Sequence, residues 1–322
     1  MTKKKILVSY PWLNETLSEL NSTFDLIYVS KNAIREEYLK LLPECDGFLS
    51  AFNLQIDKEI IDAGKKLKII ANYAVGFNNI DVAYATKKGI AVANTPDPVI
   101  EPTAEITFGL MIAAARKITE CDRKLRKGTL KWGAFENLGV SMNGKTLGII
   151  GMGRIGQAIA RRAVASCMKV VYHNRQKLSD EIEKKYNAEY LSFDELLTTS
   201  DYISLNMPLT PETHHLINQS AFDKMKNGAI LVNAARGPVV DELALVENLK
   251  NGKLRAAALD VYEHEPLITP ELLTLDNVVL SPHNGTATFE GRKEMATFAF
   301  QNIVRFFEGR KDFACVNPEV LR

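Results

Sequence analysis

The glycine-rich run at residues 145–163 is the feature that most constrains the fold. It reads KTLGIIGMGRIGQAIARRA, and Gly151, Gly153 and Gly156 form a G-x-G-x-x-G pattern between an apolar strand and the opening of a helix. The first glycine permits a tight turn, the second lets backbone approach a pyrophosphate, and the third lets helix pack on strand. Free N–H groups at the helix start favour an anion there. The run therefore predicts a dinucleotide site, which Arg154 and Ile155 also contact.

The end of the next strand bears on which dinucleotide is bound. In VVYHNRQK, Asn174 lies 18 residues after Gly156, where NAD enzymes usually carry an acid that binds the ribose hydroxyls. Arg175 follows it, with Lys177 close by. A guanidinium can bind a 2′-phosphate bidentately, and no carboxylate at this place repels one. The sequence therefore favours NADP(H), with NAD(H) possible. The alternative is that Arg175 only stacks on the adenine.

Strand-like and helix-like segments alternate on both sides of this motif. The first hundred residues contain the apolar segments KILVSY, FDLIYVS, GFLSA, LKIIANY and IAVANTP, and a second alternating series runs from about Lys145 to Ser281. Such alternation predicts β-α-β units and parallel sheets. The expected fold class is α/β, with two Rossmann-like doubly wound domains.

A proline-rich segment suggests where the domains meet. NTPDPVIEP, from Asn94 to Pro102, resists both helix and strand and is interpreted as a crossing between domains. A helix pattern follows over Thr103 to Ile118, with Thr103 or a neighbour as its N-cap. A last helix over Ala287 to Glu308 could return to the first domain. We therefore predict a flavodoxin-like substrate domain of residues 1–100 and 288–322, with a dinucleotide-binding domain of residues 101–287 inserted in it.

Composition limits the classes of partner. The 322 residues carry a formal net charge of +1, which gives no electrostatic reason to expect nucleic acid or an anionic membrane. The sequence shows no apolar stretch long enough to span a bilayer and no signal-peptide pattern. The four cysteines are far apart without C-x-x-C spacing, which predicts reduced thiols rather than a metal site. A cytoplasmic protein with a small-molecule substrate is expected.

Three strand-like segments of the second domain lead to side chains suited to carbonyl chemistry. AILVNAARG ends near Arg236, AAALDVYEHEP leads into Glu265, and NVVLSPHNG ends near His283. Ligands of open α/β sheets bind beyond the carboxyl ends of the strands, so these side chains can converge. Arg236 would hold a substrate carboxylate and polarise a ketone, His283 would move a proton, and Glu265 would orient the imidazole and stabilise its charged form.

Each of these residues also has a structural interpretation. Arg236 could form a surface ion pair, and Glu265 beside Pro266 could be a solvated loop acid. His214 and His215, in the polar stretch TPETHHLIN, are expected to face solvent, whereas His283 directly follows an apolar strand. The combination of the three residues downstream of a dinucleotide motif favours catalysis.

Several motifs together resemble the D-isomer-specific 2-hydroxyacid dehydrogenases over essentially the whole chain: NYAVGFNNID, GMGRIG, NMPLTPET, VNAARGPVVDE, ALDVYEHEP and SPHNGTA. The resemblance is strongest to glyoxylate/hydroxypyruvate reductases and 2-ketogluconate reductases. It implies that Arg236, Glu265 and His283 are catalytic, that the N–H groups of Val75 and Gly76 hold the substrate carboxylate, and that the product has the D configuration. It also implies a homodimer with a substrate cleft between domains.

The resemblance implies further cofactor contacts. Thr103 and Asp260 would lie on the nicotinamide side, and Asn206 to Pro208 would line the adenosine pocket. Thr213, Ala234, His283 and Gly285 complete the expected cofactor contacts, beside Thr103, Asp260, Met207, Pro208, Asn174, Arg175 and the residues of the glycine motif. Trp132 falls where some relatives reach into the neighbouring subunit, although a buried structural tryptophan is an equal alternative.

Three hypotheses follow from the sequence. The first is an NADPH-preferring reductase of glyoxylate, hydroxypyruvate or 2-ketogluconate. The second is an NAD-dependent dehydrogenase of the same fold that acts on D-lactate or phosphoglycerate. The third is a non-catalytic, dinucleotide-sensing protein that resembles a corepressor, which would use peptide-docking segments that the sequence does not show.

Overall fold

A computed structural model describes residues 3–9, 23–50 and 53–321. The chain divides into two compact units, one of Met1–Val99 with Thr286–Arg322 and the other of Ile100–Gly285. Tyr10 and Ala51, which end two of the predicted strand segments, lie outside the described residues.

The first unit is built on a parallel sheet of five strands in the order β2-β1-β3-β4-β5. This is the strand order of flavodoxin-like folds. The strands are β1 Lys5–Val8, β2 Asp25–Tyr28, β3 Gly47–Ser50, β4 Ile69–Asn72 and β5 Ala91–Ala93. The helices are α1 Arg35–Leu41, α2 Lys58–Ala63 and α3 Val82–Lys87, and α11 Phe289–Phe307 returns from the end of the chain to pack beside β3 and β4.

The second unit contains a parallel sheet of seven strands in the order β12-β11-β10-β9-β6-β7-β8. Its strands are β6 Thr146–Ile150, β7 Lys169–His173, β8 Ala188–Tyr190, β9 Tyr202–Leu205, β10 Ala229–Asn233, β11 Leu254–Leu259 and β12 Val278–Leu280. Its helices are α4 Ile100–Ala115, α5 Ile118–Arg126, α6 Arg154–Ala165, α7 Asp180–Tyr186, α8 Phe193–Thr199, α9 Gln219–Lys224 and α10 Glu242–Lys250. The order reverses between β6 and β9, so the glycine motif that follows β6 lies at the point where such sheets bind nucleotides.

Burial explains why these segments form strands. Every residue of β3, β4, β9 and β10 is buried, as expected where helices cover both faces of a parallel sheet. Side-chain caps start several helices, among them Asp57 on α2 and Ser192 in a capping box with Glu195 on α8. The predicted α/β fold class of two doubly wound parallel sheets is therefore confirmed.

The predicted helix boundary at Thr103 is wrong. Helix α4 begins at Ile100, so the buried Thr103 lies inside its first turns and is not a cap. Pro102 is accommodated because the first N–H groups of a helix have no intrahelical acceptor to lose. The pattern predicted to reach Ile118 also ends early, at Ala115. Lys117 has a left-handed backbone (φ 55°), and α5 starts after it.

Candidate active site

The glycine turn after β6 packs closely at its first and third glycines and leaves its backbone accessible at the second. Gly151 has φ +91°, and a Cβ built on it would lie 2.7 Å from the Met207 nitrogen. A Cβ on Gly156 would lie 2.6 Å from the Gly151 oxygen, whereas a Cβ on Gly153 meets no atom within 4 Å. The first and third glycines are thus required by packing. Gly153, at the N-cap of α6, leaves open space beside the helix start.

Asn174 supports this turn from the end of β7. Its Oδ1 accepts a hydrogen bond of 2.7 Å from the Met152 N–H, so one of its polar atoms is already used within the protein. Arg175, the next residue, is exposed. Lys177 contacts Glu183 (Nζ–Oε2 3.1 Å) and is engaged within the α7 region, which leaves Arg175 as the better-placed cation of the predicted pair.

The segment after β9 forms the other side of the glycine turn. Met207 is buried, and its backbone nitrogen lies against Gly151. The Thr213 hydroxyl donates to the Pro208 carbonyl (2.7 Å) and accepts from the Thr210 N–H (2.7 Å). These bonds order the loop that is predicted to line the adenosine pocket.

Thr103, Asp260 and Gly285 come together at the other end of the predicted cofactor site. A Cβ built on Gly285 would lie 3.4 Å from the Asp260 Oδ2 and 3.5 Å from the Thr103 Oγ1. Asp260 is 1% exposed, and its Oδ1 accepts from the Asn284 N–H (2.7 Å). Its Oδ2 is buried with no hydrogen-bond partner among the described residues. A buried carboxylate oxygen left in this state requires a donor, and the carboxamide N–H of a nicotinamide fits that requirement.

The predicted catalytic residues follow three neighbouring strands, β10, β11 and β12. His283 Nδ1 lies 2.8 Å from the Glu265 Oε2, and the Glu265 Oε1 accepts from the Tyr262 N–H (2.9 Å). The side chains of His283 and Glu265 are 42% and 34% exposed, so solutes can reach the pair. His283 has a left-handed backbone (φ 53°), which its N–H stabilises by donating to the Asp260 carbonyl (2.7 Å).

The charges of these residues are coupled. Burial raises the pKa of Glu265, but hydrogen bonds from His283 and the Tyr262 N–H, with the charges of His283 and Arg236, leave that pKa below its usual value. Burial lowers the pKa of the Arg236 guanidinium, and the Glu265 carboxylate acts in the opposite direction. Arg236 also donates from Nη1 to the Ala235 carbonyl (2.6 Å). Glu265 therefore stays ionised, bonded to the His283 imidazole and within electrostatic reach of the Arg236 guanidinium.

Sequence reasoning missed the residues that hold the Arg236 loop. The Asn233 side chain donates to the Arg236 carbonyl (3.0 Å) and accepts from the Ala235 N–H (3.0 Å). A Cβ on Gly237 would lie 1.8 Å from the Tyr262 carbonyl oxygen, so only glycine fits there. The available signal was a polar residue that ends the fully buried strand β10, with a glycine four residues later.

In the first unit, the loop with Val75 and Gly76 is held by residues of the proline-rich segment. The Thr95 N–H donates to the Ala74 carbonyl (2.9 Å), and the Asn94 side chain donates to the Val75 carbonyl (2.8 Å). Because the C=O and N–H of a trans peptide point in opposite directions, these bonds direct the Val75 and Gly76 N–H groups away from Asn94 and Thr95. The roles of Asn94 and Thr95 were not foreseen.

One other prediction is wrong, and one of two open alternatives is excluded. His215 does not simply face solvent, because its Nε2 lies 2.7 Å from the Glu263 Oε1; His214 is exposed, as expected. Trp132 is 84% exposed, which excludes a buried structural tryptophan in the single chain.

None of the helices in the described ranges has the length and apolar character that a membrane span needs. No cluster of three His, Cys, Asp or Glu side chains in the same ranges could hold a metal ion.

Comparison with known proteins identifies the family. A model described as the NAD-binding domain of D-isomer specific 2-hydroxyacid dehydrogenases matches residues 108–285. The chain is 46% identical over 297 residues to a glyoxylate reductase of Pyrococcus horikoshii. This alignment covers 91% of the chain and 89% of the relative. It is 42% identical to a glyoxylate reductase of Thermococcus onnurineus over 99% of this chain and 97% of the relative. A crystal structure of a glyoxylate reductase from Paecilomyes thermophila superposes with a TM-score of 0.90 at 37% identity, covering 99% and 100% of the two chains.

The chain therefore belongs to the D-isomer specific 2-hydroxyacid dehydrogenase family, and the resemblance predicted from its motifs is confirmed. It is an NAD(P)-dependent oxidoreductase that acts on CH–OH groups and interconverts 2-hydroxy and 2-oxo acids.

Proposed function

We propose that this enzyme reduces small 2-oxo acids of the glyoxylate, hydroxypyruvate and 2-ketogluconate class to the D-2-hydroxy acids, with NADPH as the preferred reductant. The observation that carries the proposal is the His283–Glu265 pair (2.8 Å) at strand ends next to the one that bears Arg236. The relatives named as glyoxylate reductases support the substrate class.

The residues divide the work of carbonyl reduction. A reduced nicotinamide, when bound, would supply the hydride that C2 of the substrate receives. Arg236 holds the substrate carboxylate and polarises the ketone oxygen, on which negative charge develops. Protonated His283 donates Nδ1–H to Glu265, so Nε2–H is the proton that it gives to that oxygen. Glu265 fixes the ring and stabilises the imidazolium.

The two units contribute different binding groups. Besides Arg236, we assign substrate binding to the unit of Met1–Val99 with Thr286–Arg322, whose Val75 and Gly76 N–H groups are proposed to bind the substrate carboxylate. We assign dinucleotide binding to Ile100–Gly285. There the pyrophosphate would lie at Gly153, Arg154 and Ile155, and the carboxamide would meet Asp260 and Thr103, with Ala234 beside them.

A substrate panel tests the proposal. Purified enzyme with NADPH is expected to oxidise the dinucleotide steadily when glyoxylate or hydroxypyruvate is added, followed as loss of absorbance of the reduced nicotinamide. Tight dinucleotide binding without turnover on any 2-oxo acid would favour a sensing role. Turnover confined to pyruvate or phosphohydroxypyruvate with NADH would favour the D-lactate or phosphoglycerate type.

The cofactor preference depends on Asn174 and Arg175. We expect NADPH to exceed NADH in kcat/KM, because the exposed guanidinium of Arg175 can pair with a 2′-phosphate and no acid at position 174 repels it. Arg175→Ser should lower kcat/KM with NADPH about tenfold, the value of one charge-assisted contact, and leave NADH within about twofold. Lys177→Ser, which removes a cation already engaged with Glu183, is the matched control. A tenfold preference for NADH in the unaltered enzyme would overturn the assignment.

We also propose that the enzyme is a homodimer in the cytoplasm. Trp132, Phe135 and Leu138 are 84%, 88% and 60% exposed in one chain, a concentration of apolar side chains typical of protein interfaces. The four cysteines are all free, which suits a reducing compartment. Trp132→Ser with Phe135→Ser should convert the dimer to a monomer in light scattering coupled to size exclusion, whereas Leu243→Ser, which alters a separate exposed leucine, should not. A dimer that survives the double substitution would exclude this surface.

A further inference from the structure

A second histidine–glutamate pair lies beside the proposed catalytic one. His215 Nε2 is 2.7 Å from the Glu263 Oε1, and their side chains are 33% and 15% exposed. A carboxylate only accepts, so His215 is the donor. Glu263 stands two residues before Glu265, and one short segment therefore carries a glutamate for each of two histidines.

Glu263 also forms hydrogen bonds with Glu242, the first residue of α10. Its N–H donates to the Glu242 Oε1 (2.7 Å), and its Oε2 accepts from the Glu242 N–H (3.3 Å). Glu242 is 3% exposed and its other oxygen accepts from the Thr269 hydroxyl. This reciprocal arrangement fixes both the backbone and the side chain of Glu263, and it directs the Glu263 Oε1 to His215.

His215 in turn belongs to a segment joined to the Arg236 loop. Its N–H donates to the Pro238 carbonyl (2.8 Å), and the Ile217 N–H donates to the Val239 carbonyl (3.0 Å). Gly237, next to Arg236, lies so close to the Tyr262 carbonyl that a Cβ would not fit. The 215–217, 237–239 and 262–265 segments are therefore packed as one assembly, and the His215–Glu263 bond joins its first and last segments.

The last segment controls the geometry of Glu265. The Tyr262 N–H, which belongs to the residue before Glu263, donates to the Glu265 Oε1 (2.9 Å). The other carboxylate oxygen, Glu265 Oε2, forms the hydrogen bond with His283 Nδ1. A shift of the 262–263 backbone would thus move a donor of the Glu265 carboxylate and change its alignment with His283. Misplacement of about 1 Å is enough to cost much of a catalytic rate.

We propose that His215 and Glu263 are a positioning pair for the reduction: they hold the segment of Glu265 against the segment of Arg236, so that the Glu265–His283 bond is aligned. Neither side chain is assigned contact with substrate or dinucleotide. The proposal rests on the reduction proposed above, because that reaction is what gives alignment of Glu265 its value.

Kinetics of five variants, four with one substitution and one with two, test the pair. His215→Ala and Glu263→Gln should each lower kcat/KM for the 2-oxo acid about tenfold, while the NADPH Kd stays within about twofold. In a Glu265→Gln background, His215→Ala should add less than about twofold, because its effect passes through Glu265. His264→Ala is the matched control, since His264 is exposed on the same segment. Its backbone carbonyl accepts from the Leu267 N–H, and its side chain makes no hydrogen bond within the described ranges.

An NMR measurement reports on the alignment of His283 with Glu265 and does not require the enzyme to turn over substrate. The proton on His283 Nδ1 should give a downfield NMR resonance that Glu265→Gln removes, that His215→Ala shifts or broadens, and that His264→Ala leaves in place. An unchanged resonance with kcat/KM within twofold in His215→Ala would overturn the inference, as would an NADPH Kd weakened as much as kcat/KM. If the unaltered enzyme reduces no 2-oxo acid, the proposed function fails, whereas the resonance still decides whether His215 positions Glu265.

Discussion

Replacement of His283 by alanine is expected to lower kcat for 2-oxo acid reduction by about 10²–10⁴-fold while it spares dinucleotide affinity. The loss follows from removal of the proton donor, because the ketone oxygen would then take its proton from water. Dinucleotide affinity should persist because the glycine turn and Asp260 do not depend on the imidazole; the backbone N–H of residue 283, which donates to Asp260, is retained by alanine. Steady-state kinetics and NADPH titration by fluorescence measure the two quantities separately.

The left-handed backbone at residue 283 requires a control in this experiment. With φ 53°, His283 adopts a conformation that costs alanine somewhat more than asparagine or histidine. His283→Asn, which tolerates this backbone and cannot act as an acid, should show the same loss of kcat with an unchanged Tm. A fall in NADPH affinity equal to the fall in kcat, in both variants, would make His283 a structural residue.

The lowered pKa of Glu265 bears on how stability and activity change with pH. That pKa is below its usual value in the folded protein. The ionised carboxylate therefore stabilises the fold at pH values above the usual carboxyl pKa. This contribution declines as pH falls below the usual carboxyl pKa, and it is gone once pH is below the lowered pKa of the folded protein. Glu265 therefore remains a charged partner for His283 throughout the neutral range, and loss of reductase activity on moderate acidification should not come from its protonation.

Much of the fold could be predicted because its signals are local. Strands such as β10 and β4 are buried on both faces, so their sequences are short apolar runs bounded by polar residues. The glycine turn joins β6 to α6 with its three glycines within six residues. Parallel order then brings the ends of β10, β11 and β12 together, which allowed Arg236, Glu265 and His283 to be selected. Their roles in catalysis stay predictions until variants are measured.

What could not be predicted depends on contacts between distant residues. The partner of His215 is Glu263, 48 positions away, and a polar stretch such as TPETHHLIN gives no periodic signal for that bond. Asn94 binds the Val75 carbonyl across 19 positions, from a segment whose prolines indicated only a crossing. The start of α4 was misplaced because proline disfavours a helix interior, whereas the first turn tolerates it.

Arg236→Gln is expected to lower kcat/KM for the 2-oxo acid by about 10²–10³-fold, the usual cost of removing one donor to a developing oxyanion. Glutamine keeps much of the side-chain length and a hydrogen-bond donor but loses the positive charge. Binding of the substrate carboxylate and polarisation of the ketone should therefore both be weaker. The backbone should stay in place, because Asn233 binds the Arg236 carbonyl and Gly237 packs on Tyr262 independently of the guanidinium. Substrate KM should therefore rise while the NADPH Kd and Tm change little.

Arg255→Gln is the control for charge alone, since Arg255 is exposed at the start of β11, the strand next to that of Arg236. The strand ends distinguish the two arginines: ligands of parallel α/β sheets bind beyond the carboxyl ends, where Arg236 lies, and not at the amino ends, where Arg255 lies. Arg255→Gln should keep kcat/KM within about twofold, the usual range for an exposed side chain away from a site. Equal losses in both variants would show that the overall charge of the domain, rather than a carboxylate contact at Arg236, governs turnover. A loss confined to Arg236→Gln, carried by substrate KM and kcat together, assigns the guanidinium to both the bound acid and the transition state.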